Sequence, residues 1–296
     1  MYPSRMLKEY VLNSEDRTIN DKLSIKMDKD LAKEFDEGKF NNFIELLNKS
    51  IRLIDTLNIR YPGNANPRYY VYIVPLEKQE LLNVPKNFNT GTGGGKPVKG
   101  FELDGFNSAY AVTDNLCRRD KHSLSNNVHE LTHLITGMFL GNVDRYISEG
   151  LSEAVPFYVL GFEDYNDNHR NMILNLKEED IRTVKELIEE EKNQTYGDTS
   201  INDNKSCSYR HSYISSYLFI ASILDYIKEK YQLDEKLSLQ VFYKICKRAV
   251  FRGENMVYEM ADELGLDAKE LLESKKIQID YINKLKNKEN NKTVTK

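Results

Sequence analysis

Apolar residues recur at helical spacing over much of this chain. The segment 40–57, FNNFIELLNKSIRLIDTL, predicts a long amphipathic helix that ends before the proline and glycine of RYPGNANP. After residue 140 the same spacing predicts five more helices, at 145–160, 177–192, 212–231, 237–249 and 256–272. The second half of the chain is therefore predicted to be helical.

Shorter apolar runs in the first half predict β-strands. YYVYIVP, residues 69–75, has the β-branched and aromatic content of a buried strand, and FELDGFNSAYAVTD, residues 101–114, predicts two short strands around Asp104 and Gly105. We therefore expect an α+β fold, with a small sheet in an N-terminal lobe (1–140) and a helical C-terminal lobe (141–283). The end, KLKNKENNKTVTK, has almost no apolar content and predicts a disordered basic tail at 284–296.

The glycine cluster NTGTGGGKPVKG invites comparison with the phosphate-binding loop G-x-x-x-x-G-K-[ST]. The match fails twice, because Thr90 occupies the first glycine position and Pro97 follows Lys96. We interpret the segment as a flexible loop or hairpin and not as a nucleotide site.

Charge and cysteine content narrow the classes of partner. A formal net charge of -4 gives no general attraction to nucleic acid or anionic membranes, so neither is an expected partner. Cys117, Cys207 and Cys246 are far apart, which indicates no disulfide framework and fits a reducing compartment.

The first residues of the sequence include no apolar run of the kind that a leader has, and nowhere is there an apolar run of the roughly 18 residues that span a bilayer. We expect a cytoplasmic protein, or a secreted one if a leader has been removed.

One segment, NNVHELTHLITG, carries chemistry. His129 and His133 lie one helical turn apart and can supply two zinc ligands, and Glu130 sits where it can take a proton from a water molecule. In a chain with 5 histidines, H-E-x-x-H is expected by chance about 0.01 times. At 100° per residue the histidines fall opposite an apolar stripe of Leu124, Val128, Leu131, Ile135 and Met138. Two surface histidines without a metal would show the same phase, so this pattern excludes only a pair of core histidines.

A candidate third ligand follows in DRYISEGLSEAVPFYV. Glu149 and Glu153 share one helix face, and the opposite face is apolar, with Ile147, Leu151, Ala154 and Val155. If the first helix ends at the predicted left-handed stop of Gly141–Asn142, the chain that follows is long enough to return Glu149 to the histidines. The alternative is that both glutamates only solvate a helix.

These two segments carry a family resemblance. HELTH resembles the zinc helix of thermolysin-like peptidases, and SEGLSE is similar to the E-G-x-x-E of clostridial collagenases and of uncharacterised bacterial predicted zinc peptidases. The resemblance implies a gluzincin, in which His129, His133 and Glu149 bind one zinc ion and Glu130 is the general base. It also implies that the carboxylate of Glu153 orients a ligand histidine without binding the metal itself.

Gluzincins commonly place a tyrosine or histidine of a later helix where negative charge develops on the substrate oxygen. CSYRHSYISSYLFIASILDYI offers Tyr209, His211 and Tyr213, of which Tyr213 is the candidate. The competing interpretation is an ordinary core stripe that includes Tyr213 and Tyr217. His122 and His169 are expected to be surface residues. By analogy of position, SAYAVT is the candidate edge strand for substrate.

The predicted function is a zinc-dependent metallopeptidase, an endopeptidase that cleaves peptides or proteins through a zinc-activated water with Glu130 as the general base. Its fold would be zincin-like, with the active-site cleft between the two lobes. The glycine-methionine-glutamate-asparagine motif of aminopeptidases is absent. Two alternatives remain: a zinc hydrolase of a non-peptide bond, and a catalytically inactive zincin-like binding protein.

Overall fold

The protein is an α+β structure that is mostly helical, with one small sheet. A computed structural model describes residues 13–34, 37–56, 69–75, 77–78, 108–113, 121–141, 143–160, 167–196 and 208–294. The chain divides into two compact units, Met1–Phe139 and Leu140–Lys296. The predicted lobes, with an active-site cleft between them, stay a prediction.

The sheet of the first unit has the strand order β1-β2-β3-β4, formed by Glu15–Thr18, Leu23–Met27, Tyr69–Val74 and Ser108–Thr113. β1 pairs antiparallel with β2, whereas β2–β3 and β3–β4 are parallel. β3 is an inner strand buried from Tyr70 to Val74, which is why its sequence is continuously apolar instead of alternating. The strand predicted at 69–75 is confirmed, and so is the second of the two strands predicted within 101–114. The first of those two lies outside the described residues, and β1 and β2 were not predicted.

Among the described residues of the first unit, three α-helices accompany the sheet: α1 (Lys29–Glu34), α2 (Glu37–Thr56) and α3 (Lys121–Leu140). α2 confirms the helix predicted at 40–57, and it buries Phe43, Leu47 and Ile51 one turn apart. α3 carries the H-E-x-x-H segment. It ends at Gly141, whose φ of 76° lies in the left-handed region, as the sequence predicted.

The second unit contains eight helices among the described residues. They are α4 (Arg145–Ala154), α5 (Asp167–Asn175), α6 (Val184–Lys192), α7 (Ser208–Tyr231), α8 (Glu235–Arg252), α9 (Met256–Leu264), α10 (Ala268–Glu273) and α11 (Lys276–Val294). A π-helical segment, Val155–Val159, continues α4 and contains Pro156. Proline cannot donate the backbone hydrogen bond of an α-helix, so it fits such an irregular turn.

α7 is the centre of this unit. α4, α6, α8 and α11 all pack against it. From Ile214 to Asp225 its residues are buried on every side, and Leu218, Ile220 and Leu224 have no exposed surface. A helix that is buried all round lies in a core, and this one packs against α4, which carries Glu149.

Three predictions of the helical part are corrected. The helix predicted at 177–192 begins at Val184, because Thr183 and Glu186 form a capping box there. The helix predicted at 256–272 is two helices, α9 and α10, because Gly265 adopts φ 63° and Asp267 caps the next helix. α11 extends through residue 294, so the predicted disordered tail is wrong over 284–294.

The sequence of this tail is polar, but α11 begins upstream in a region that is anchored by buried Tyr281 and Ile282. Once a helix is nucleated, lysine, asparagine and glutamate residues extend it at little cost. Lys284 adds ion pairs with Asp225 at 3.0 Å and Glu229 at 2.8 Å. In the part of the chain that the structure describes, none of the helices has both the length and the apolar character needed to cross a bilayer.

Candidate metal centre

The two histidines of α3 point their ring nitrogens at each other. The Nε2 atoms of His129 and His133 are 3.0 Å apart, and the rings meet edge to face with centroids separated by 4.7 Å. Residues four apart on a helix are neighbours on one face, so the spacing alone brings the rings together. Val128, Leu131 and Ile135 are buried at 0%, 0% and 3% exposure, whereas both histidines are part-buried. The predicted helical phase is confirmed for these residues.

The third member of the group is Glu149, in the first half of α4. One ligand atom from each of His129, His133 and Glu149 lies within 4.8 Å of the others, and the group could hold a metal ion. Two nitrogens and a carboxylate oxygen are a donor set of catalytic zinc sites, where ligands of a tetrahedral ion at about 2.0–2.1 Å lie about 3.3 Å apart. The two histidine nitrogens, 3.0 Å apart, are already at about this spacing, and the three residues together could hold a metal ion.

Gly150 explains how close α4 comes to α7. A Cβ atom added at Gly150 would lie 2.5 Å from Cγ1 of Ile220 and 2.6 Å from the backbone oxygen of Ser216. Only a residue without a side chain permits this approach. The glycine of the SEGLSE segment therefore has a packing role, and it fixes the position of the neighbouring Glu149 relative to α7.

Arg145 links Glu149 to α7. Its Nε lies 3.4 Å from Oε1 of Glu149, one helical turn along α4, and its Nη2 donates to the hydroxyl of Tyr213 at 2.9 Å. The guanidinium carbon lies 4.7 Å from the ring centre of Tyr196 and 5.9 Å from that of Tyr213. Partial burial by itself lowers the pKa of Arg145, but Tyr213 and Glu149 outweigh it and the net shift is upward. Arg145 is therefore held as a cation beside the carboxylate.

The ring of Tyr196 completes this arrangement from the segment after α6. It is buried at 4% exposure, and it meets the ring of Tyr213 edge to face at 5.6 Å. Its hydroxyl lies 2.6 Å from Oγ of Ser216, the residue whose backbone touches Gly150. Burial raises the pKa of Tyr196, so the ring that packs against Arg145 is uncharged.

The N-terminus of α4 is held by α6. The backbone N–H of Arg145, the first residue of α4, donates to Oε2 of Glu191 at 2.7 Å. Asp144 precedes the helix but makes no side-chain capping bond. A carboxylate at a helix N-terminus satisfies an otherwise unpaired donor and opposes the positive end of the helix dipole. Glu191 therefore fixes the start of the helix that carries Glu149.

Of the three candidates near the start of α7, Tyr213 lies beside Arg145, as described. His211 lies 3.9 Å from Asp180, and burial lowers its pKa despite that carboxylate. The side chain of Tyr209 is outside the described part of the chain. The structure thus connects Tyr213, through Arg145, to Glu149; its catalytic role stays a prediction.

Glu153 is on the same face of α4 as Glu149, but it is buried at 9% exposure. The expectation that both carboxylates face away from the core is therefore wrong for Glu153, which is among the buried residues of α4. Burial chiefly raises the pKa of Tyr217, and the nearby charge of Glu153 adds to that shift. A role for Glu153 in orienting a ligand histidine stays a prediction.

Several predicted residues have side chains outside the described part. Glu130 lies on α3 directly after His129, but only its place in the helix is known. The same holds for His122 on α3 and His169 on α5, and neither Cys117 nor Cys207 is described. Cys246 is fully buried in α8, where burial raises the pKa of its thiol.

Comparison with protein-family models and with curated proteins returned no match. The resemblance to gluzincins therefore stays a prediction from the two short sequence motifs.

Sequence reasoning missed Arg145, Tyr196 and Glu191. Arg145 had a usable signal, since an arginine four residues before a glutamate on one helix predicts a side-chain pair. Tyr196 and Glu191 had none, because their contacts with Arg145 join segments about 50 residues apart in the chain.

Proposed function

We propose that this protein is a zinc-dependent metallopeptidase of the gluzincin type. The observation that carries the proposal is the grouping of His129, His133 and Glu149, whose ligand atoms lie within 4.8 Å of one another. Two imidazole nitrogens and one carboxylate oxygen are a donor set that supports zinc over the harder cations, which prefer oxygen ligands alone.

When bound, zinc would polarise the carbonyl of the scissile bond and make a water molecule more acidic. Glu130 would take the proton from the attacking water and return it to the leaving amine. Tyr213 would donate a hydrogen bond to the substrate oxygen as negative charge develops there. Because β4 is the last strand in the order of the described sheet, its outer edge could pair with an extended peptide.

Metal analysis is the first test. Wild-type protein should retain close to one zinc per chain after dialysis, and His133→Ala should lose it. His211→Ala is the matched control, because its ring contacts Asp180 and it should keep the metal. Zinc-free wild type after exposure to excess zinc would end the proposal.

Cleavage of a peptide library is the second test. Wild type should cleave, and Glu130→Gln should bind zinc normally but lose cleavage, because an amide cannot accept the proton. Zinc binding without cleavage of any peptide would favour one of the two alternatives, and hydrolysis of a panel of ester and amide substrates would separate them. Equal cleavage by wild type and Glu130→Gln would exclude Glu130 as the base.

A further inference from the structure

Arg145 makes three polar contacts through three different nitrogen atoms. Nε faces Glu149, Nη1 faces the backbone oxygen of Tyr196 at 3.4 Å, and Nη2 donates to the hydroxyl of Tyr213. The guanidinium also lies over the ring of Tyr196 at 4.7 Å. Planar stacking and a rigid fork of donors fix the orientation of an arginine more strongly than a single ion pair does.

The bond to Tyr213 has a direction. A guanidinium has donors and no acceptor, so the phenol oxygen must accept from it. The proton of Tyr213 then points away from Arg145. A hydroxyl that accepts a charge-assisted hydrogen bond is also a stronger donor, because hydrogen bonds in a chain polarise one another.

We propose that Arg145 is a positioning residue that holds Tyr213 as a directed hydrogen-bond donor next to the candidate ligand Glu149. This inference rests on the proposed peptidase function, since it concerns the group that stabilises charge on the substrate. Arg145 itself acts through Tyr213 and Glu149 and need not touch the substrate.

The contact with Glu149 gives Arg145 a second connection to the same centre. A carboxylate has two oxygens, so Glu149 can use one as a ligand while the other stays near Nε of Arg145. One rigid guanidinium would then fix the distance between the ligand and the donor. Lysine could not do the same, because a single ammonium on a flexible stem lacks the planar fork.

The test is a double-mutant cycle on the zinc-loaded full chain with Arg145→Met, Tyr213→Phe and the double variant. Arg145→Met should lower kcat by about 10–100-fold with KM within about 3-fold of wild type, since an interaction used only in the transition state affects kcat. Tyr213→Phe should cost about 100–1000-fold in kcat, as the loss of an oxyanion donor does. The double variant should match Tyr213→Phe within about 3-fold, because Arg145 acts through that hydroxyl.

Binding of a peptide phosphonamidate, which imitates the tetrahedral transition state, gives a readout without turnover. Both single variants should weaken binding of this inhibitor about as much as they lower kcat. When either substitution is added to Glu130→Gln, the affinity for an uncleaved peptide substrate should stay unchanged. Arg145→Lys should recover less than a tenth of the lost kcat. Arg252→Met is the matched control: its guanidinium also pairs with a carboxylate, Glu259 at 3.1 Å, and its side chain is 50% exposed against 42% for Arg145.

Each outcome decides the matter. If the losses of kcat multiply in the double variant, Arg145 acts independently of Tyr213 and the inference is overturned. If Arg145→Met raises only KM, and this rise disappears with C-terminally amidated peptides, Arg145 binds a substrate carboxylate and the inference is also overturned. An equal loss in Arg252→Met would assign the effect to general destabilisation. Wild type that cleaves no peptide overturns the proposed function and this inference together, whereas active wild type with an unaffected Arg145→Met overturns only the inference.

Discussion

In α3 the two histidines are brought together by the helix repeat alone, whereas in α4 the side chain of Glu149 is placed by contacts with other helices. His129 and His133 are one turn apart, so any helix over this segment brings their Nε2 atoms close, here to 3.0 Å. Glu149 depends on the contact of Gly150 with Ser216 and on Arg145, which Tyr213 and Glu191 hold. Changes that spare the backbone of α3 should therefore spare the histidine pair, while remote changes around α4 should disturb the third ligand.

The largest expected effect separates the two carboxylates of α4. Glu149→Gln should weaken zinc binding by more than about 100-fold, because an amide is a poor ligand. Glu153→Gln should cost at most the roughly 10–100-fold that removal of an outer partner costs. Competition with a chromogenic chelator measures both. Wild-type affinity in Glu149→Gln would show that the third ligand is another group.

The helical glycines of α3 and α4 form a matched pair. Gly150→Ala should lower the free energy of unfolding by about 1–3 kcal/mol, because its Cβ would overlap Ile220 and the Ser216 backbone. Gly137→Ala should raise it by about 0.5–1 kcal/mol, since Gly137 is exposed, a Cβ there would meet nothing within 4 Å, and alanine favours the helix.

Urea unfolding measures both changes. If Gly150→Ala leaves the free energy of unfolding unchanged, α4 and α7 can move apart without loss of stability, and the position of Glu149 would then need another explanation.

The N-terminus of α4 allows a smaller perturbation. Glu191→Ala should cost about 0.5–2 kcal/mol, as the loss of a capping acceptor does. Glu189→Ala is the control on the same helix, because its pair with Lys192 is exposed and should contribute less than about 0.5 kcal/mol. Chemical denaturation gives both values, and zinc affinity should fall only in Glu191→Ala. Equal effects of the two substitutions would remove Glu191 from the support of α4.

The smallest effect concerns His211, near the start of α7. Burial lowers its pKa in the folded state, so the unfolded chain binds protons more readily. The stability that depends on neutral His211 is fully present above the unfolded pKa of about 6.5 and is lost as pH falls through the lower folded pKa. The stability difference between wild type and His211→Gln should therefore shrink on acidification. A difference that grows below pH 6.5 would contradict the burial effect.

Much of the fold was predictable where the pattern was local. The helix of 37–56, the strands at 69–74 and 108–113 and the stop at Gly141 all follow from spacing or from a single residue type. β1 was not predicted because its four residues are polar and exposed. The prediction of a disordered tail was wrong because composition describes an isolated segment, whereas residues 284–294 extend a helix that is already anchored.

In the candidate site, Glu149 was preferred to Glu153 as the third donor because of the resemblance to gluzincins. The sequence by itself determined the histidine pair, its phase on α3 and the shared helix face of Glu149 and Glu153. These follow from helical periodicity, which depends only on backbone geometry. The tertiary structure decided the rest: that Glu153 is buried, that Gly150 permits a close crossing of α4 and α7, and that Arg145 joins Glu149 to Tyr213. Such contacts join residues far apart in the chain, and no local pattern specifies which distant side chain will fill the space beside a given helix.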